Sequence, residues 1–205
     1  MKKSATAIIG ALILVIALNS VSRAAPFFVA TFTYASVKSV LSSSVTRADD
    51  ELETILGRHC LALAIYHEAR GESVWGQHAV AAAILNRVRS TAYPNTICGV
   101  VYQNAHRLHR CQFSFACDKL SDVPANYFAF KKSNRIADMV LSGSLAREAK
   151  FVGASYTRTL DVITHYHRHD INPVWSSKLQ RLSNIGNHVF LKSERVTSRY
   201  RDTAL

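Results

Sequence analysis

Glu68 ends an apolar run, Leu61 to Tyr66, within the stretch Ile65-Tyr66-His67-Glu68-Ala69-Arg70-Gly71-Glu72. A carboxylate among apolar neighbours is a candidate proton donor. Desolvation disfavours its charged form and lifts its pKa toward the pH at which it can act as an acid. For an isolated glutamate, a helix-end surface residue or a structural ion pair is the competing reading; here the flanking residues argue against it. Glu72 supplies a second carboxylate four residues on, and in a continuous helix the two would share a face. The paired carboxylates of a glycosidase flank the scissile bond from opposite sides, and Gly71 stops the helix between these two. Glu68 therefore reads as the acid/base, and Glu72 as a supporting group paired with Arg70 or Arg87.

A metal-dependent hydrolase, protease or amidase, is the first rival. His67-Glu68 opens a His-Glu-x-x-His pattern, but the second histidine position is Gly71, so the pattern fails. His165, His167 and His169 alternate and would share one face of a strand, which is compositional support for a metal and no more. No metal ligand set is assigned, and the one-glutamate chemistry requires no cofactor.

These residues need elements to hold them. Residues 51–70 read as a helix, with Leu52, Leu56, Leu63 and Tyr66 at helical spacing. Ser73 is placed to cap a second helix over 74–90, with Gln77 nearby in a loose capping arrangement and Val80, Ala83, Ile84 and Val88 as its buried stripe. Tyr93-Pro94-Asn95 is a turn, 97–102 a short apolar segment compatible with a helix, and 104–110 a basic loop. Pro124 opens a third helix to Leu141, ended by Gly143; residues 148–152 are ambiguous. Residues 162–167 alternate as a strand does, Asn172-Pro173 break it, and 186–192 form another. Helices first and a small hairpin last give an α+β class.

The chain has 205 residues, enough for one domain with a core plus an appendage. Lys2-Lys3, the apolar run from Ala7 to Leu18 and the small residues Ser22 and Ala24 have the pattern of a secretory signal over residues 1–24. The run is short for a spanning helix, which needs about 20 apolar residues, although Phe27-Phe28-Val29-Ala30 keeps an uncleaved anchor as the other reading. Residues 25–50, rich in Ser, Thr and Ala, read as a linker, and the compact domain as 51–205. Cys60, Cys98, Cys111 and Cys117 suit an exported protein with two disulfides. Three connectivities are open, one of which closes a small loop from Cys111 to Cys117. A zinc site is disfavoured because no Cys-x-x-Cys pair is present. The chain carries a formal charge of +11; without residues 1–24, 22 basic and 14 acidic side chains remain, or +8. A basic exported protein suits an anionic envelope surface. Nucleic acid is not the expected partner, and nothing in the pattern sets an oligomeric state.

One glutamate suffices to cleave a glycan when the sugar's own 6-hydroxyl attacks the anomeric carbon. The acid protonates the leaving oxygen and then takes the proton from that hydroxyl, as lytic transglycosylases do on N-acetylmuramic acid. The motif Tyr66-His67-Glu68-Ala69-Arg70-Gly71-Glu72, followed by Gly76-Gln77-His78-Ala79-Val80-Ala81 and Ile84-Leu85-Asn86-Arg87-Val88, resembles the SleB-type cell-wall hydrolases. So do Tyr93-Pro94 with Gly99-Val100-Val101, Gln112-Phe113-Ser114, Thr164-His165-Tyr166, Pro173-Val174-Trp175 and Ile185-Gly186-Asn187-His188-Val189-Phe190. The resemblance spans roughly residues 58–192 in one order. It implies a mainly helical, lysozyme-like domain of the lytic-transglycosylase kind with a small β-hairpin or sheet, located in the periplasm or secreted. Its implied partner is the glycan strand of peptidoglycan, and Glu68 matches the family's catalytic glutamate. It further implies that Tyr166 orients Glu68 or the sugar, that Gln112 and Ser114 hydrogen-bond the sugar, and that His165 and His188 line the cleft. Trp175 reads as a core residue or as a platform for a sugar face. A hydrolytic muramidase or glucosaminidase, an amidase, and a non-enzymatic glycan-binding protein are the alternatives. The spore enzymes of this family carry a repeat-type wall-binding domain before the catalytic one, whereas here a short linker precedes Glu51.

Overall fold

Two chain units are distinguished, residues 1–45 and 46–205, and the computed structural model describes residues 34–107 and 110–194. The proposed signal segment, 1–24, lies outside the described residues. Among them, no helix is long and apolar enough to cross a membrane.

Helix α1 spans Tyr34–Ala69. It starts well before Glu51, so residues 34–50, expected as a linker, are helical. No Gly or Pro occurs between residues 34 and 56; a helix nucleated by its packed end extends through residues of ordinary propensity because propagation is far easier than nucleation. Burial begins at Gly57, whose Cα faces Ile97, and continues through Leu61 and Ile65. Leu63 and Tyr66 are buried as their spacing implies, but Leu52 and Leu56 remain about half exposed.

Helix α2 spans Val74–Arg89, and its N-cap is Ser73, whose Oγ accepts from the Gly76 N–H at 3.2 Å. Gln77 reaches back to the Glu72 carbonyl at 3.0 Å. The expected stripe of Val80, Ala83, Ile84 and Val88 is buried, and so is almost every other side of the helix. Alanines at 79 and 81–83 let neighbours approach from all sides, as a central helix requires. Helix α3, Ile97–Val101, is capped by Thr96 and tied to α1 by the Cys60–Cys98 disulfide. The second disulfide, Cys111–Cys117, closes the small loop.

Helix α4, Tyr127–Leu141, begins after the Asn126 cap rather than at Pro124. It turns Ser133, Ile136 and Ala137 inward, and Phe130 packs edge-on against Tyr66. Arg58 pairs with Asp138 between α1 and α4. Gly143 ends this region with φ +68, a left-handed conformation that glycine adopts at no steric cost. The ambiguous segment 148–152 is the end of α5, Ser144–Ala149, and the turn after it, and α6, Ala154–Leu160, follows.

The sheet has three strands: β1 His165–Arg168, β2 Gln180–Ile185 and β3 His188–Lys192, in the order β1-β3-β2 and antiparallel throughout. The two expected strands do pair, with Tyr166 opposite Phe190. The missed strand β2 is polar, Gln-Arg-Leu-Ser-Asn-Ile, and carries an irregularity between Arg181 and Ser183 that spoils its alternation. Mostly helical with a small antiparallel sheet, the architecture is α+β as expected.

Candidate active site

Glu68 is the next-to-last residue of α1 and faces the sheet. The Tyr166 hydroxyl, projected from β1, donates to Glu68 Oε2 at 3.2 Å. Burial lifts the Glu68 pKa above the ordinary carboxylate range, against the opposing pull of the Tyr166 hydrogen bond and the Arg87 charge. Burial, reinforced by the Glu68 charge, holds the Tyr166 phenol well above its usual range, so it remains a donor. Tyr166 packs against His188 and Phe190 of β3, with ring centroids 5.3 and 5.7 Å away.

The register that delivers Tyr166 is fixed from α2. Asn86, fully buried, donates through Nδ2 to the carbonyls of Leu160 at 2.8 Å and Ile163 at 2.7 Å. Arg87, also buried, donates from Nε to the Thr164 carbonyl at 2.7 Å. The Asn86-Arg87 pair thus grips the backbone leading into β1, and Thr164 closes on β3 through its N–H to the Leu191 carbonyl at 3.0 Å. Two buried side-chain donors, Asn86 Nδ2 and Arg87 Nε, thus meet three backbone carbonyls, a costly arrangement to disrupt.

A cleft of about 560 Å³ opens beside Glu68 and is bounded by Arg87, Gln112–Ser114, His165–Tyr166, Trp175 and Lys178. Its size suits a sugar-sized ligand. Among the described lining residues Glu68 is the only carboxylate. Of the residues singled out in the sequence, Gln112, Ser114, His165 and Tyr166 share this cleft with Glu68. Burial, and after it the Arg87 charge, depresses the His165 pKa to about 4, and its Nδ1 lies 2.8 Å from Thr164 Oγ1. Trp175 is not a core residue: it is 43% exposed, and its ring sits 5.8 Å from those of His165 and His167 at the cleft edge.

Three expectations are corrected. Glu72 pairs with neither Arg70 nor Arg87. Its carboxylate accepts from the Asn187 backbone N–H at 3.1 Å and side-chain Nδ2 at 2.9 Å, and lies 3.9 Å from His188 Nδ1. The tight β2–β3 turn brings donors to it: at Gly186, φ is +58 and a Cβ would come 1.9 Å from Glu72 Oε2, so only glycine fits. Arg70 is exposed, its guanidinium 4.9 Å above the Tyr66 ring and away from the cleft. His188 is buried behind Tyr166 rather than on the cleft wall.

Arg87 and Lys178 are cleft residues that sequence reasoning missed. The signal for Arg87 was present: an arginine inside an apolar helical run, Ile84-Leu85-Asn86-Arg87-Val88. Lys178 ends the 3-10 turn Val174–Lys178 and carried no signal. The wall opposite β1 is held by His67, which stacks on Phe115 at 4.4 Å and whose Nε2 lies 3.1 Å from the Asp122 carbonyl oxygen. As for the alternating histidines, His167 Nδ1 lies 2.7 Å from the Arg168 carbonyl and His169 Nδ1 3.1 Å from that of Asn187. No cluster of three metal-ligating side chains occurs among the described residues.

Residues 71–191 match the model of a family described as Cell Wall Hydrolase; Glu68 lies just outside the matched stretch. The spore cortex-lytic enzyme of Bacillus cereus is 56% identical over 43 residues, 21% of this chain and 17% of that protein. The namesake of Bacillus subtilis (strain 168) is 54% identical over 43 residues, 21% of this chain and 14% of that protein. The chain thus matches under a fifth of the length of these relatives. Two solved structures align as well. The catalytic domain of the Bacillus cereus SleB protein is 28% identical with a TM-score of 0.46, covering 66% of this chain and 89% of that one. The catalytic domain of the germination-specific lytic transglycosylase SleB from Bacillus anthracis is 28% identical with a TM-score of 0.47, covering 66% and 93%.

Proposed function

The chain belongs to the cell wall hydrolase family, and from that premise we propose that it is an exported enzyme that cleaves the glycan backbone of peptidoglycan as a lytic transglycosylase. One observation carries this reading: the only carboxylate among the described lining residues of the cleft is Glu68, whose pKa burial raises and whose carboxyl accepts a hydrogen bond from Tyr166. Protonated Glu68 donates to the glycosidic oxygen between N-acetylmuramic acid and N-acetylglucosamine, breaking its bond to the anomeric carbon. Glu68, now a carboxylate, takes the proton of the muramic acid 6-hydroxyl as that oxygen bonds the same carbon. The products are a free 4-hydroxyl and a 1,6-anhydro sugar, and the glutamic acid is restored without water. Tyr166 serves both halves, since its hydroxyl remains a donor to the carboxylate. In this reading Gln112 and Ser114 bind the sugar's polar groups and Trp175 stacks on its face, a role supported by their sharing the cleft with Glu68.

His165 favours a second reading, hydrolysis. With a pKa of about 4 it is a neutral imidazole in the cleft at pH 7, and such a group can activate water. Purified peptidoglycan incubated with the full chain tests the shared core of both readings. Wild type solubilises it, and Glu68→Gln, which cannot donate the proton, is slower by roughly 10²–10⁴-fold. A variant as active as wild type would leave Glu68 without the role.

A further inference from the structure

Arg87 is 3% exposed and lines the cleft, and its Nη1 has no hydrogen-bond partner. The rest of its guanidinium is well held: Nε donates to the Thr164 carbonyl, and the Tyr93 and Phe113 rings lie 5.5 and 5.6 Å from Cζ. A permanent buried charge costs free energy unless it is paired. Among the described residues no carboxylate lies within ion-pair distance of it. Glu68 acts on it only through the longer-range field, and burial disfavours the charged form of Glu68. His165 is neutral too at ordinary pH, and the remaining charged side chain on the lining is another cation, Lys178. The cleft thus sets two cations, Arg87 and Lys178, against a single carboxylate whose charged form burial disfavours, and the guanidinium Nη1 is unmet.

We propose that Arg87, assisted by Lys178, is the seat of a carboxylate of the substrate, the free lactyl carboxylate of muramic acid units that bear no stem peptide. The inference rests on the glycan-cleaving reading above and deepens it. In a peptide-bearing strand the lactyl carbonyl is an amide, which is neutral and bulky. In a stripped strand it is an anion on the very sugar whose anomeric carbon reacts. Guanidinium binds carboxylate with charge-assisted hydrogen bonds about twice as strong as neutral ones. Occupation by that anion supplies the missing counter-charge, and a turn of the guanidinium lets it reach Nη1, which protein atoms otherwise enclose. The enzyme then works after an amidase-type reaction that removes stem peptides, on its product.

The test uses the full wild-type chain and two substrates that differ in one functional group: glycan strands freed of peptide by an amidase, and the same strands with the lactyl carboxyls converted to methylamides by carbodiimide coupling. The expected result is a kcat/KM at least about tenfold lower on the amidated strands, with Lys178→Ala narrowing the gap by weakening cleavage of the free acid. Equal cleavage of the two strands overturns the inference and leaves the glycan-cleaving reading standing. Cleavage of neither strand overturns both. Arg87→Lys, which keeps the charge but not the fork, retains part of the discrimination. Arg87→Gln removes it, read as the ratio of the two substrates in the same preparation, so that a loss of folded protein cancels.

Discussion

At the scale of single residues, the site turns on opposing influences on Glu68. Burial raises its pKa, while the Tyr166 hydroxyl and the Arg87 charge lower it. The sign of a substitution follows. Tyr166→Phe removes a hydrogen bond to the charged form, so the Glu68 pKa rises further, and the alkaline limb of the pH–rate profile moves to higher pH. The maximal rate falls at the same time, by roughly tenfold, because the carboxyl loses the donor that orients it. A rate loss with an alkaline limb shifted to lower pH would contradict the hydrogen bond's assigned direction. Glu68 was legible in the sequence because an apolar flank and a following glycine are local signals. The true partners of Glu72 were not, since Asn187 and Glu72 are 115 residues apart and meet only through a turn that Gly186 permits.

At the scale of elements, α2 organises the site by gripping what precedes β1. The helix itself was legible from the Ser73 cap and its apolar spacing. Its role was not, because periodicity says that Asn86 and Arg87 fall on a helix but not which carbonyls they will meet. Strand β2 was invisible for a related reason: its six residues are mostly polar, half-exposed and irregular in register. The early part of α1 misled in the other direction, since Ser- and Thr-rich sequence is compatible with a linker and with a helix carried outward from a packed end. The Cys60–Cys98 disulfide fastens α1 to α3 across a sequence separation of 38. Closing a loop of that length is worth about 4 kcal/mol by chain entropy. Cys98→Ser lowers Tm by roughly 10 °C in consequence, and reducing agent lowers the wild type's Tm but not the variant's by a comparable amount. A variant as stable as wild type would show that the α1–α3 contact holds without the bond.

For the whole molecule, buried neutral histidines set the behaviour in acid. His78 is 4% exposed, its Nδ1 3.3 Å from the Tyr156 hydroxyl, and burial lowers its pKa from 6.5 to about 4. The unfolded chain binds protons at such groups from pH 6.5 downward, before the folded chain does. The stability they contribute is therefore complete above pH 6.5 and lost as pH falls toward 4, on the order of 3 kcal/mol for His78. His165 shifts in the same direction. Thermal melts from pH 7 to pH 4 should show Tm falling across this window, less steeply in His78→Gln, which has no proton to gain. A Tm independent of pH there would mean that water reaches the imidazole. The strong positive charge of the chain suits an anionic wall, and its net repulsion grows in the same pH range, so melts at two salt concentrations separate the two contributions.

The most direct measurement is the chemistry of the new chain end. Soluble products released from purified peptidoglycan by the full chain are identified by mass spectrometry beside those of Glu68→Gln. The account predicts fragments ending in 1,6-anhydro-muramic acid, one water lighter than hydrolytic products and absent with the variant. Reducing ends in their place would contradict it and favour the hydrolytic reading, and free stem peptides would mean that the bond cleaved is not glycosidic.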